Sequence, residues 1–202
     1  AIVFSRYNSN RLNGKVFKLI NGKSLLDRVI ESLSKVKNID HICIATTLNT
    51  EDDKIEKFAK ELKIDVYRGS ESDLIDRSIQ ASKKFKYSNF LRVCGDRPFI
   101  DTDLYEELIY EHLQYSPDIT TNTFPRSVPF GFSGEVVKVN SLIEIQGFNL
   151  DKYYEEHITS FFYENFKKFK IRSVNHMDKY KKYSKINLCV DSKEDLLKAN
   201  WI

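Results

Sequence analysis

Arg6, Arg11 and Lys15 crowd into the short stretch "SRYNSNRLNGK", separated by small polar residues and by Gly14. Three uncompensated positive charges this close repel one another, so the stretch makes physical sense around a strongly anionic ligand. Arginine offers phosphate oxygens a bidentate fork, and lysine a compact point charge. Ser9, Asn10 and Gly14 leave room for backbone N–H groups to approach, and Gly14 is free to adopt a positive φ. Two familiar phosphate loops do not fit. A Walker-type loop needs G-x-x-x-x-G-K-[ST], but Val16 follows Gly14-Lys15 and Ser9 stands where the first glycine belongs. A dinucleotide fingerprint needs G-x-G-x-x-G, and Gly14 stands alone. The competing reading is a solvated loop whose arginines pair with surface acids.

A second set of residues suits the same ligand. Asp96 ends the apolar run "NFLRVCGD", and Asp191 follows another, "INLCV". Mg²⁺ is usually held by one or two carboxylates together with phosphates and water. Such a cation screens the charge of a phosphate-bearing ligand before a nucleophile can approach. Two alternatives stay open: Asp96 as a loop acid paired with Arg92 or Arg97, and Asp191 as a helix-initiating acid beside Ser192. Asp195 reads as an acid of that helix's first turn. In "RGSESDLIDR", Ser70, Asp73, Asp76 and Arg77 either reach toward a ligand or simply favour the start of a helix. His41, His112 and His176 show no ligand spacing. No Ser/His/Asp set stands out, and no covalent intermediate is required.

These residues need a scaffold that brings them together. Apolar runs of strand length alternate with helical periodicity. "AIVF" reads as a buried strand, followed by a helix opened by Ser24 with Asp27 in a capping-box pattern and carrying Leu25, Leu26, Val29, Ile30 and Leu33 inward. "HICIATT" is a second strand, and Thr50 with Asp53 opens a helix to about Leu62. "DVYRG" is a short strand, "SDLIDRSIQASKKF" a helix, "NFLRVCGD" a strand, and 102–115 a further helix. Beyond Tyr115 the pattern loosens into irregular strands and loops. A helix is expected over 152–166, then a strand "KIRSVN", and last a strand, turn and helix in "KINLCVDSKEDLLKAN". The β-α-β-α order implies an α/β fold with a mostly parallel sheet covered by helices on both faces. Ligands of such sheets sit outside the carboxyl ends of the strands. That is where the loops after "AIVF", "DVYRG" and "LRVCG" lie, and where two distant aspartates can converge.

The bulk figures allow this and exclude other classes. A chain of 202 residues, 41% hydrophobic and 30% charged, is enough for one well-cored domain. Its 32 basic and 29 acidic residues nearly balance, so neither nucleic acid nor a membrane surface is an expected partner. The basic runs "NFKKFK" and "DKYKKY" read as solvated faces. No apolar stretch approaches the roughly 20 residues needed to span a bilayer. Three widely spaced cysteines in apolar runs suggest buried thiols in a reducing, cytoplasmic setting. Opening in a strand without methionine, the chain is expected to be preceded by a short further segment.

The pattern Arg6, Ser9, Arg11, Leu12, Gly14, Lys15 resembles R-x-x-S-x-R-L-[P]-G-K, which opens the sugar-activating cytidylyltransferases. That family includes the CMP-KDO synthetases, the CMP-acylneuraminate synthetases and the spore-coat polysaccharide biosynthesis protein F branch. Asn13 departs from it, standing where proline is usual. "GKSLLDRVIESL", "ATTLNTEDDKI", "VYRGSESDLIDR", "RVCGDRPFID", "GEVVKVNSL", "EEHIT" and "CVDSKEDL" resemble further family segments in the family's order, nearest to the F branch. The resemblance implies a single-domain Rossmann-like fold of GT-A type over 1–202. Residues 1–115 would form the nucleotide-binding half, 116–190 the acceptor part with a candidate dimer contact, and 191–202 a closing helix. It implies a Mg²⁺-dependent transfer of CMP from CTP to a sugar acid, with release of pyrophosphate, by a homodimer. Arg11, Lys15 and Asp96 would be catalytic, and Asp96 and Asp191 the metal ligands. Arg6, Ser9, Gly14, Ser70 and Arg77 would bind the nucleotide. Glu135, facing a sugar from a strand edge, and Glu156 and His157 in "EEHIT" would meet the acceptor. For Glu135 a solvated edge acid, and for His157 a structural helical histidine, remain the competing readings. Two rival functions stay open. One is a GT-A glycosyltransferase, whose Asp-x-Asp motif could be Asp101-Thr102-Asp103; the other is a nucleotide-binding subunit without activity.

Overall fold

Strand β1 (Ile2–Phe4) is buried at every residue and lies inside a seven-stranded sheet. The computed structural model describes residues 1–202 except 10, 149 and 184, so Asn10 of the cationic loop lies outside the described residues. Around β1 run β4 (Cys43–Thr47), β5 (Asp65–Gly69) and β6 (Asn89–Cys94), with β8 (Glu135–Lys138), β7 (Ile119–Thr121) and β9 (Ile171–Ser173) completing the order β5-β4-β1-β6-β8-β7-β9. Every neighbouring pair is parallel except those made by β8, which runs antiparallel to both β6 and β7. β2 (Leu19–Ile20) and β3 (Lys23–Ser24) form a separate small hairpin. Its turn, Asn21-Gly22, has φ of 46° and 82°, the positive values that a tight hairpin turn demands.

Helices cover both faces, which is why the central strands read as unbroken apolar runs. α1 (Leu25–Leu33), α2 (Asp53–Glu61) and α4 (Thr102–Tyr115) pack with Val3, Ile44, Leu91, Val93 and Val136. α3 (Leu74–Phe85), α5 (Val139–Gln146) and α7 (Ser160–Glu164) pack with Ile2, Phe4, Ala45, Phe90 and Val137. Adjacent residues of one strand thus serve opposite layers. The expected α/β architecture is present, and the β-α order up to Tyr115 is as read apart from the β2–β3 hairpin, which the sequence reading did not include. Among the described residues no helix is long and apolar enough to cross a membrane.

Four local expectations are corrected. The helix expected over 152–166 is two, α6 (Lys152–Glu156) and α7, interrupted at His157, where φ and ψ are −109° and 71°. The break turns Ile158 and Thr159 inward, both buried. Thr50 and Asp53 form no cap; residues 50–52 make a 3₁₀ turn that sends Asp52 into the interior. "INLCV" joins no ladder of the main sheet and makes a single bridge from Asn187 to Phe130. The three cysteines are not all buried, since only Cys43 is, while Cys94 and Cys189 are half-buried.

Candidate active site

The loop after β1 is folded by its own apolar and aromatic residues. Leu12 and Val16 are buried, which aims Arg11 and Lys15 toward one side. Gly14 takes φ +63° and its N–H donates to the Tyr7 carbonyl at 3.0 Å. A Cβ there would stand 3.0 Å from the Tyr7 ring, so glycine is required both by conformation and by contact. The Tyr7 N–H donates to Asp52 Oδ1 at 2.7 Å, while Asp52 Oδ2 accepts from the N–H of Thr47 at 3.0 Å and from its hydroxyl. Asp52 therefore ties the loop to the end of β4. It was not foreseen, because an acid in a helix's first turn carries no sign of being turned inward.

Lys15 Nζ donates to Asp96 Oδ2 and to Asp191 Oδ1, both at 2.7 Å. Arg11 Nη2 reaches Asp191 Oδ2 at 3.0 Å. Asp96 follows β6 through Gly95, whose N–H donates to the Phe4 carbonyl at 2.9 Å. A Cβ on Gly95 would lie 3.0 Å from Ser5 Oγ, so the exits of β1 and β6 pass at close quarters. Asp191 arrives differently. The Val190 N–H donates to the Asp96 carbonyl at 3.0 Å, and the N–H groups of Asp191 and Ser192 both donate to Asp195 Oδ2. Ser192 and Asp195 make a reciprocal capping box on α9 (Lys193–Trp201), as expected for Asp195. Burial opposes the charge of Lys15, but Asp96 and Asp191 outweigh it and hold the ammonium above its ordinary pKa.

Arg6, Ser9, Arg11, Lys15, Arg77, Asp96, Glu156, His157 and Asp191 border one cleft of about 360 Å³ at the carboxyl ends of β1 and β6. A larger hollow of about 510 Å³ lies at the opposite strand ends, between Ala1, Asn89 and His112. Ligands of doubly wound sheets favour the carboxyl end, which singles out the smaller space. Arg77 is buried, with Nε donating to the Ser70 carbonyl at 2.7 Å and Nη2 to the Glu71 carbonyl at 2.9 Å. Burial, and then the nearby charge of Arg6, lower its pKa. Ser70 stays out of the cleft and shapes the turn, its hydroxyl accepting from the Asp73 N–H at 3.0 Å. Asp73 in turn caps α3.

Glu135 is corrected as a strand-edge acid. β8 is an interior strand, and Glu135 is only 5% exposed. Its Oε2 accepts from Arg92 Nη1 at 2.6 Å and its Oε1 from the Tyr163 hydroxyl. Burial pushes the carboxyl up, but Arg92, Tyr163 and Thr159 together bring it below the ordinary range. The Asp-x-Asp candidate is spent structurally: Asp101 caps α4 at the Leu104 N–H, 3.1 Å, and accepts from the Tyr180 hydroxyl. Among the described residues no cluster of three or more His, Cys, Asp or Glu is arranged to hold a metal ion.

A family model described as cytidylyltransferase matches residues 1–201. The chain is 31% identical over 199 residues to the spore coat polysaccharide biosynthesis protein SpsF of Bacillus subtilis, covering 96% of this chain and 81% of that protein. It is 32% identical over 106 residues to the 3-deoxy-manno-octulosonate cytidylyltransferase 2 of Hydrogenovibrio crunogenus, covering 52% of this chain and 43% of that one. Among solved structures, a cytidylyltransferase from Leptospira borgpetersenii superposes with a TM-score of 0.90 at 29% identity, over 98% of this chain and 83% of that chain.

Proposed function

This chain belongs to the cytidylyltransferase family, and from that premise we propose that it transfers CMP from CTP to an oxygen of a sugar acid, releasing pyrophosphate. The observation that carries the reading is the meeting of Arg11 and Lys15 with Asp96 and Asp191, at 2.7–3.0 Å, in the cleft at the strand ends. The sugar acid follows from the relative named for 3-deoxy-manno-octulosonate, and cytosine from the family alone.

Two carboxylates converging on one ammonium already hold a cation between them, and hard oxygen donors in that number suit Mg²⁺, which completes its shell with phosphates and water. Asp96 and Asp191 are the residues that would hold it, and the ion would screen the triphosphate's negative charge. Arg11 and Lys15 then turn from the aspartates to the phosphates, stabilising charge on the α-phosphate and the departing pyrophosphate. Arg6, Ser9 and the Gly14 turn line the nucleotide side, with Arg77, braced on Ser70, at its back. Glu156 and His157 face the acceptor. Glu135 acts at one remove, fixing Arg92 and Tyr163.

Incubation with CTP, Mg²⁺ and a sugar-acid library, read by mass spectrometry, tests this. A CMP-sugar and pyrophosphate are expected, and Asp96→Ala is expected to abolish both. Equal turnover of all four triphosphates, or no product with any acid, would overturn it.

A further inference from the structure

Two guanidinium groups beside the candidate site have no acid to themselves. Arg97 follows Asp96 directly, and its Nη1 donates to the Ser133 carbonyl at 3.3 Å. Arg126 Nη1 donates to Ser133 Oγ at 2.9 Å, with its guanidinium 4.2 Å from the centre of the Phe130 ring. One residue thus tethers two like charges. Among the described residues neither forms an ion pair; the arginines that do are Arg11, Arg68, Arg92 and Arg172. The buried acid nearby, Glu135, is already taken by Arg92 and Tyr163. Asp96 is taken by Lys15. Burial, and then the charge of Arg97, lower the pKa of Arg126, whereas Cys94 first, against burial, and then Tyr105, Cys189 and Asp96 raise that of Arg97. Arg97 is half-buried and Arg126 exposed, so the pair is open to a ligand.

Two guanidinium forks gathered on one serine, neither of them spent on a carboxylate, present donors suited to an anion. The triphosphate has its own cations, Arg11 and Lys15, on the loop after β1. The neighbouring anion must therefore come from the other substrate. We propose that Arg97 and Arg126, tethered to Ser133 beside Asp96, form the subsite that receives the carboxylate of the acceptor and so selects acids over neutral sugars; this rests on the transfer reading above. The chemistry of a 2-keto acid fits the spacing along the chain. In its ring form the reacting hydroxyl is on the carbon next to the carboxylate. A carboxylate held by Arg97, the residue after Asp96, would direct that hydroxyl toward the cleft that Asp96 borders.

Calorimetric titrations with CTP, and separately with 3-deoxy-manno-octulosonate, pyruvate and their methyl esters, test the subsite. The wild type is expected to bind acids at least about tenfold tighter than esters, and Arg126→Gln to lose most of that preference while its CTP affinity stays within about twofold. Arg97→Gln is expected to behave alike; should its half-buried position prevent folding, the exposed Arg126 variant carries the test. Equal affinity for acid and ester in the wild type, binding of neither, or an undiminished preference in Arg126→Gln overturns the subsite and leaves the CTP reading standing. Inorganic phosphate that competes through Arg126 better than the acids do overturns the assignment to a carboxylate. Failure of the wild type to bind CTP overturns both readings.

Discussion

Lys15 illustrates how one side chain can belong to two partners. In the structure its ammonium bridges Asp96 and Asp191, whereas in the proposed reaction it serves phosphate. Its raised pKa means that this bridge contributes stability fully below the ordinary lysine value and loses it only as pH rises through the folded one, well outside the physiological range. Nucleotide binding should therefore show no lysine titration near neutrality. Lys15→Met removes the internal cation and leaves two carboxylates facing each other. CTP affinity is expected to fall by about tenfold or more. The nucleotide-free variant is expected to bind Mn²⁺ more tightly than the wild type, as read by electron paramagnetic resonance. Unchanged Mn²⁺ affinity would mean that Lys15 does not compete for that position. The charges of this loop were legible because like charges seldom crowd without cause. The inward turn of Asp52 was not, since nothing in "NTEDD" separates it from the exposed acids beside it.

At the scale of elements, amphipathic helices flanking buried strands were readable because each buries one face against one layer of the sheet. α3 and α4 lie where their periodicity and first-turn acids put them. Elements set by tertiary contact were not readable. "INLCV" has the residues of a strand but finds its partners outside the main ladders, and the 152–166 helix breaks because Ile158 and Thr159 are drawn into the interior. His112, assigned nothing from its spacing, proves to be a pin between elements. From α4 its Nδ1 meets Thr120 Oγ1 of β7 at 3.0 Å, and its Nε2 meets Asn89 Oδ1 of β6 at 3.1 Å. Because Asn89 Oδ1 only accepts, Nε2 carries the proton and Nδ1 accepts from Thr120. Burial, and then Lys138, lower the pKa of His112 to about 4. The unfolded chain then binds the extra proton first, so stability falls as pH drops through the unfolded value near 6.5 and continues to fall toward 4. Between pH 7 and pH 5 this should cost about 2 kcal/mol. Urea titrations at the two pH values should show that loss in the wild type and a shallower one in His112→Asn. Equal losses would release His112 from this role.

The whole molecule explains why the candidate site needs both distant parts of the chain. The sheet aligns the exits of β1 and β6 by register alone, with Phe4 opposite Cys94. Asp191 has no such register. It is placed by the Val190 bond to Asp96, by the α9 capping box, and by a small separate core in which Leu12, Ile20 and Leu25 meet Val190 and Ala199. Leu12 lies between Arg11 and Lys15 on the one loop, and Val190 immediately precedes Asp191, so this core couples the cations to the second aspartate. The two larger clusters that hold the sheet do not include it. A small satellite core opens at lower free energy than the main one, and a ligand that bridges its halves must suppress that opening. Hydrogen exchange with CTP and Mg²⁺ is therefore expected to slow together in residues 5–17 and 187–202, with little change in the helices on the sheet faces. Ala199→Leu, which overfills a site 2% exposed, should cost about 1–3 kcal/mol of local docking. It should speed exchange in both segments and weaken CTP binding, while the main unfolding transition barely moves. Faster exchange confined to 187–202, with residues 5–17 unaffected, would show that the loop keeps its shape without α9 and that the coupling through Leu12 and Val190 is absent.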